Sequence, residues 1–169
     1  MDAAELRHLQ APLKECYAED PEAALVRHGA VGRLEEGVAC GVETWAGRVE
    51  AGLHAAAGGD GSQGCSANML LEALVACAGV TLKAVATAMD VEIRGGDIIA
   101  EGDVDFRGTL AVSKEVPVGF QEIRLKFRIE TPADAETAER LFRLTERYCV
   151  VYQTLARGCP THVTWSATP

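Results

Sequence analysis

Aromatic side chains are scarce in this sequence, at 5% of the residues, so a core must be assembled mainly from Ala, Val, Leu and Ile. Positive charge is in deficit too. Sixteen Lys and Arg stand against 25 Asp and Glu, giving a formal net charge of −9. Nothing resembles a basic stripe that could follow a phosphate backbone, so nucleic acid is excluded as a partner. The first residues, MDAAELRHLQ, carry Asp, Glu and Arg where a secretory leader has an apolar run, and no signal peptide is expected. There is no C-x-x-C pair, and no His sits at a zinc-like offset from two cysteines. A structural zinc is therefore not expected. His8, His28, His54 and His162 form no cluster and receive neither a metal nor a general-base role.

What is present fits one globular domain: 169 residues, 48% of them hydrophobic. The most apolar stretch, from Met69 to Met89, is long enough to be tested as a membrane span. Glu72 and Lys83 interrupt it, and Trp or Tyr anchors are missing from its ends. A charge near the centre of a span costs about 2.5–3.5 kcal/mol on insertion. The expectation is thus a buried helix in a soluble cytoplasmic protein, with no membrane partner. A stapling disulfide framework does not suit a reducing compartment. Cys16, Cys40, Cys65, Cys77, Cys149 and Cys159 are then a mixture of structural thiols and, at most, one reactive pair.

Residues 1–24 read as a helical or irregular lead-in, with a short helix startable at Asp20, and residues 25–169 as the domain proper. From Leu25 to His54, ALVRHGAV, GVACGVET and GRVEAGLH alternate at roughly period two and predict short strands; Gly58 to Gly64 predicts a loop. The segment SANMLLEALVACAGVTLKAVATAM predicts a central helix that Ser66 could cap, apolar on almost every face and so buried on most of them. IIAEGDVDF and QEIRLKFRIE alternate strictly and predict two half-exposed antiparallel strands, with SKEVPVGF as the loop between. Thr131 with Pro132 predicts the start of one or two further helices, ending near Gly158, and HVTWSA predicts a last strand. No repeat or domain linker interrupts this order. The fold class is α+β.

Cys77 falls in the middle of the apolar helix, where a cysteine commonly serves as a small hydrophobe. Cys149 lies in RYCVVYQTL, and at helical spacing Thr145 and Gln153 share its face. Neither residue is diagnostic alone. Together, LLEALVACAGVTL and RYCVVYQTL resemble, in sequence, order and separation, the two cysteine motifs of the OsmC/Ohr superfamily of hydroperoxide reductases, and the likeness extends from about Arg27 onward. The resemblance implies antiparallel sheets wrapped around a long central helix in an intertwined homodimer, with active sites at the subunit interface. It implies a thiol-dependent peroxidase with a role in oxidative stress defence. Cys77 is the attacking thiolate, Cys149 the resolving thiol, and an external dithiol rather than a bound cofactor is the reductant.

The family's activating arginine is best matched by Arg33 in GAVGRLEEG, with Arg27 as the alternative. Two positions depart from the family pattern. Where a glutamate begins the helix in relatives, this chain has Ser66, Ala67 and Asn68, and Val150 replaces the proline that usually follows the second cysteine. Glu72 lies five residues before Cys77, about 140° away around a helix, and cannot stand in on the same face. Cys65, just ahead of the helix, reads more readily as a loop thiol than as a further redox partner. Two other readings remain open at this level: a non-catalytic dimer of the same fold binding a small apolar molecule, and a slow redox sensor.

Overall fold

A computed structural model describes residues 1–167. The lead-in forms α1 (Ala3–Glu19), capped by Asp2, whose carboxylate accepts from the N–H groups of Ala4 and Glu5 while the Glu5 side chain reaches back to the Asp2 N–H. That reciprocal arrangement satisfies donors the helix itself cannot. A single 3-10 turn, Pro21–Ala24, follows. Three short antiparallel strands come next: β1 (Gly32–Leu34), β2 (Cys40–Thr44) and β3 (Gly47–Gly52). The expected Gly58 to Gly64 loop gives up its last residue to β4 (Gly64–Cys65), a two-residue strand parallel to β3.

The central helix, α2 (Ser66–Ala88), stands where the sequence placed it. Its cap does not. Pairing of Cys65 with Gly52 holds Cys65 in extended conformation, so Cys65 is the N-cap, Ser66 is already helical, and no side chain caps the turn. At the other end the Val91 N–H returns to the Ala86 carbonyl (2.8 Å) across Asp90, which takes the left-handed conformation (φ 57°). This is a Schellman closure in which Asp replaces the usual Gly.

A long antiparallel ribbon follows, β5 (Gly95–Val104) with β6 (Phe120–Glu130). Ahead of the expected SKEVPVGF loop lies a single helical turn, α3 (Phe106–Thr109), whose first residue the alternating reading of DVDF places in the strand. On β6, Ile123, Leu125, Phe127 and Ile129 are half-buried, whereas Lys126 and Arg128 point to solvent. The charged face pairs across the strands: Arg124 with Asp103 and Glu122, and Lys126 with Glu101.

Two helices complete the order, α4 (Ala135–Tyr148) and α5 (Val150–Arg157). Thr131 does not cap α4, because its hydroxyl donates to the Glu92 carbonyl (2.7 Å) and ties the end of β6 to the turn after α2. The cap passes to Asp134, whose carboxylate accepts from the Thr137 N–H (2.7 Å). The helical block ends at Gly158 as expected. The last strand does not form: residues 159–167 have no regular structure, and Val163 and Trp165 are 86% and 87% exposed. A strand needs a neighbour to receive its N–H and C=O groups, and none of the described strands lies beside this segment.

The core sits where β5, α4 and α5 pack on α2. Leu74, Ala78, Leu82 and Ala86, spaced by four, form the buried edge of α2, and Leu82 and Ala86 meet Leu141 of α4. Phe127 and Phe142 pack at 5.5 Å between ring centres and close the cluster from the ribbon side. The expectation of a helix buried on most faces is met on one face within a single chain. Val80, on the opposite side, is 73% exposed. The chain exposes 12862 Å², whereas a compact monomer of 17.9 kDa exposes about 8,000 Å². Leu141→Ala, which opens a void against α2, is expected to cost about 2–5 kcal/mol in denaturant unfolding. A change below about 1 kcal/mol would mean that this cluster is not the core.

Candidate active site

Cys77 precedes Ala78 of the buried edge of α2 by one position, so it faces sideways and is half-buried, on a helix that packs against both α4 and α5. Cys149 is that junction. Its backbone is extended (φ −75°, ψ 107°), which ends α4 and begins α5 on the same residue. Here the sequence expectation is corrected: Cys149 is not inside a helix, and Thr145 and Gln153 do not make a polar face around its sulfur. The Thr145 hydroxyl, fully buried, is spent on the Leu141 carbonyl (2.8 Å), and the Gln153 side chain caps the Glu146 carbonyl (2.7 Å). Cys149 itself is 1% exposed.

The two thiols are close enough for each to bear on the other's ionisation. Their environments push them apart. Burial, the largest single influence on Cys77, raises its pKa, but the N–H of Val151, the Cys149 thiol, the Thr81 hydroxyl and the N–H of Val150 together outweigh it and leave Cys77 below an ordinary thiol. For Cys149 burial raises the pKa and prevails, opposed by the N–H of Tyr152 and reinforced by the neighbouring Cys77. The sulfur that solvent can reach therefore gives up its proton more readily than its buried partner. A thiolate is the nucleophilic form. The arrangement can attack an electrophile at Cys77 and then close a disulfide with Cys149.

Thr81 and the α5 amides were missed by sequence reading. Thr81 was findable, since it lies four residues after Cys77 and therefore on the same face of α2. Main-chain N–H groups carry no residue-type signal, and only the helix break turns them toward a sulfur. Arg33 lies on β1, opposite Gly41, and is exposed. Arg27 lies in the irregular segment before it, also exposed. Among the described residues neither forms an ion pair, and β1 is not among the elements packed on α2. Glu72 is exposed on α2. Cys65 is half-buried at the α2 N-cap, and Cys16 and Cys159 are exposed.

Beside the cysteine pair a cavity of about 510 Å³ opens between β6 and α5. Its lining includes Leu74, one turn before Cys77, and Tyr152, one turn after Cys149, but neither cysteine. Ile123, Leu125 and Leu155 make its wall apolar, and Glu122 and Glu146 stand at its rim. No group of three or more His, Cys, Asp or Glu is placed to hold a metal ion among the described residues.

Comparison with known proteins decides the family. The family model described as OsmC-like protein matches residues 59–164, which include α2, the ribbon and both cysteines. The chain belongs to the OsmC-like protein family. Solved structures share its fold at low identity. An OsmC-like protein from Mycoplasma pneumoniae superposes with a TM-score of 0.66 at 16% identity, covering 79% of this chain and 89% of that one. An organic hydroperoxide resistance protein OsmC from Legionella pneumophila gives 0.58 at 16% identity, covering 79% and 93%. The organic hydroperoxide resistance protein OhrB of Bacillus subtilis gives 0.53 at 20% identity, covering 78% and 92%. No curated protein matches the sequence. In this OsmC-like chain the order of titration is open to direct measurement. Alkylation of Cys77, followed by peptide mapping, is expected to have its midpoint below that of an ordinary thiol and below that of Cys149. The rate falls as pH drops through that midpoint, because the thiolate is lost. Cys149→Ala, which removes a donor from Cys77, is expected to move the midpoint up; no movement would separate the two sulfurs.

Proposed function

We propose that this protein is a two-cysteine hydroperoxide reductase acting on organic hydroperoxides in oxidative stress defence. The observation that carries the reading is the contact between an accessible, low-pKa Cys77 and a buried, high-pKa Cys149 at a helix break. Family membership and the hydroperoxide-resistance relatives support the same chemistry. The Cys77 thiolate attacks one peroxide oxygen: an S–O bond forms, the O–O bond breaks, and the departing alkoxide takes a proton and leaves as alcohol. Cys149 then loses its proton and attacks the sulfenic sulfur. The S–S bond forms, the S–O bond breaks, and hydroxide leaves to become water. An external dithiol returns both residues to thiols by exchange and is itself oxidised to a disulfide. No cofactor takes part.

The working form in this reading is a homodimer. The exposed surface exceeds that of a compact monomer of this mass by about 4,800 Å². Counted over two chains this is about 9,600 Å², beyond the roughly 2,000–5,000 Å² that obligate dimers commonly bury and in keeping with an intertwined pair. The uncovered side of α2, with Leu70, Ala73, Ala76 and Val80, supplies an apolar stripe of small and medium side chains that a second α2 can approach closely. Arg33 reaches Cys77 only from that second copy, where its guanidinium would meet the thiolate and the peroxide oxygen. Although α2 is long and apolar enough to cross a membrane by length and composition, its interrupting charges and its role in the fold suit the core of a soluble protein. A reducing cytoplasm suits its free thiols.

The test is consumption of cumene hydroperoxide with excess dithiol by wild type, Cys77→Ser, Cys149→Ser and Arg33→Ala. Wild type is expected to turn over. Cys77→Ser loses the reaction, Cys149→Ser retains one equivalent of peroxide consumption with little turnover, and Arg33→Ala slows it by about tenfold or more. Wild type no faster than Cys77→Ser would overturn the reading and turn attention to apolar ligands of the 510 Å³ cavity.

A further inference from the structure

We propose that residues 162–167, HVTWSA, form a strand only in the dimer, by adding to an open edge of the β5–β6 ribbon of a second copy of this chain. The inference deepens the homodimer reading, on which it rests, by naming the segment exchanged and the surface that receives it.

The segment has everything a strand needs except a neighbour. Val163, Trp165 and Ala167 alternate with His162, Thr164 and Ser166, so extension sorts them onto an apolar and a polar face. Its centre is β-branched and aromatic, and no proline interrupts it. Among the described residues, however, none of the main-chain groups of residues 159–167 is hydrogen-bonded to main chain. Val163 and Trp165 stand almost wholly in solvent.

The ribbon lacks the complementary part. β5 and β6 pair only with each other, so each keeps an outer row of N–H and C=O groups without a strand beside it. Two strands alone are marginal, and a third adds both hydrogen bonds and apolar cover. The faces match. On one side of the ribbon Ile98, Ala100, Leu125 and Phe127 are half-buried, and Val163, Trp165 and Ala167 extend that surface. On the other, Arg124 and Lys126 are paired with Asp103 and Glu101. His162, Thr164 and Ser166 lie against this ladder with short polar side chains and bring no carboxylate to it. A slip of one residue would turn Trp165 onto the charges, so the alternation fixes the register. The four-stranded sheet offers poorer edges, because β1 has three residues and β4 two.

A second copy is the occupant that the exposed surface calls for. The excess over a compact monomer needs another chain to cover it, and within one chain the segment stays off the ribbon. Exchange about a two-fold axis lets each protomer receive the strand it gives, which closes the assembly at two.

The chain has two tryptophans, so Trp45→Phe leaves Trp165 as the sole emitter. Its fluorescence maximum and the sedimentation of the same samples are followed across protein concentration. The maximum is expected at short wavelength in the dimer, moving to that of tryptophan in water as the dimer dissociates. Successive N–H groups of a strand point to opposite sides, so one of Val163→Pro and Thr164→Pro removes a pairing donor in either orientation. In the Trp45→Phe background that variant is expected to weaken the dimer about tenfold or more and to return Trp165 to solvent. Thr164→Val keeps the N–H and leaves both readouts in place. Hydrogen exchange identifies the edge: amides of β5 or β6 are expected to exchange faster in that proline variant than in wild type. The proposal is overturned by a dimer whose Trp165 emits as in water, or by a monomer that already shields it. Two proline variants that dimerise like wild type, or exchange that changes only in β1–β4, overturn it as well. All of these outcomes leave the homodimer standing, whereas a wild type that sediments as a monomer throughout refutes both. Peroxide consumption enters none of these readouts, so the peroxidase chemistry is judged separately.

Discussion

Everything in this chain is arranged around the side of α2 that carries Leu74, Ala78, Leu82 and Ala86. The two alanines keep that side narrow, so α4 and the ribbon can come close, and Leu141 fills the remaining space. The close approach fixes where α4 runs, and its end fixes where Cys149 falls. If the helix had continued through Cys149, the amides after it would have closed on their own carbonyls and no donor would face Cys77. The packing of one apolar edge and the chemistry of one thiol are in this sense the same constraint, met at two ends of a 14-residue helix.

The other side of α2 shows what a single chain cannot do. Among the described residues six hydrophobic side chains are buried. Apolar burial contributes about 25 cal/mol per Å², so a chain this open has little to set against the entropy of ordering its backbone. Folding and association are then coupled, and the stability of the protomer depends on its concentration. The four-stranded sheet at the amino end, joined to α2 mainly through β4, is a part that gains from a neighbour.

Much of this was legible beforehand, for identifiable reasons. The β5–β6 ribbon announced itself through strict alternation, which only a sheet with one wet face produces. The central helix was readable from its length and alanine content, and the two cysteines from the motifs around them. The failures share a cause. Ser66 and Thr131 both have good capping chemistry, but a strand pairing at Cys65 and a hydroxyl bond to Glu92, each made by residues distant in sequence, decided the matter. Cys149 was placed on a helical face because local pattern continues straight through it; the break is imposed by packing on α2. HVTWSA has strand alternation without a strand beside it. Sequence pattern records which face is apolar, and cannot record which neighbour arrives to cover it.

The charge pairs of the ribbon have a consequence for colloidal behaviour. A two-stranded sheet has two open edges, each a row of unpaired amides that another chain could extend into a fibre. In β5–β6 the solvent face is held by Arg124 between Asp103 and Glu122 and by Lys126 against Glu101. Any strand added in register must bring its own side chains against this ladder of alternating sign, and a plain apolar segment finds no partner there. Pairs so exposed add little to folding stability. Their value lies in keeping a chain with this much uncovered apolar surface from assembling in the wrong direction before it meets its proper neighbour.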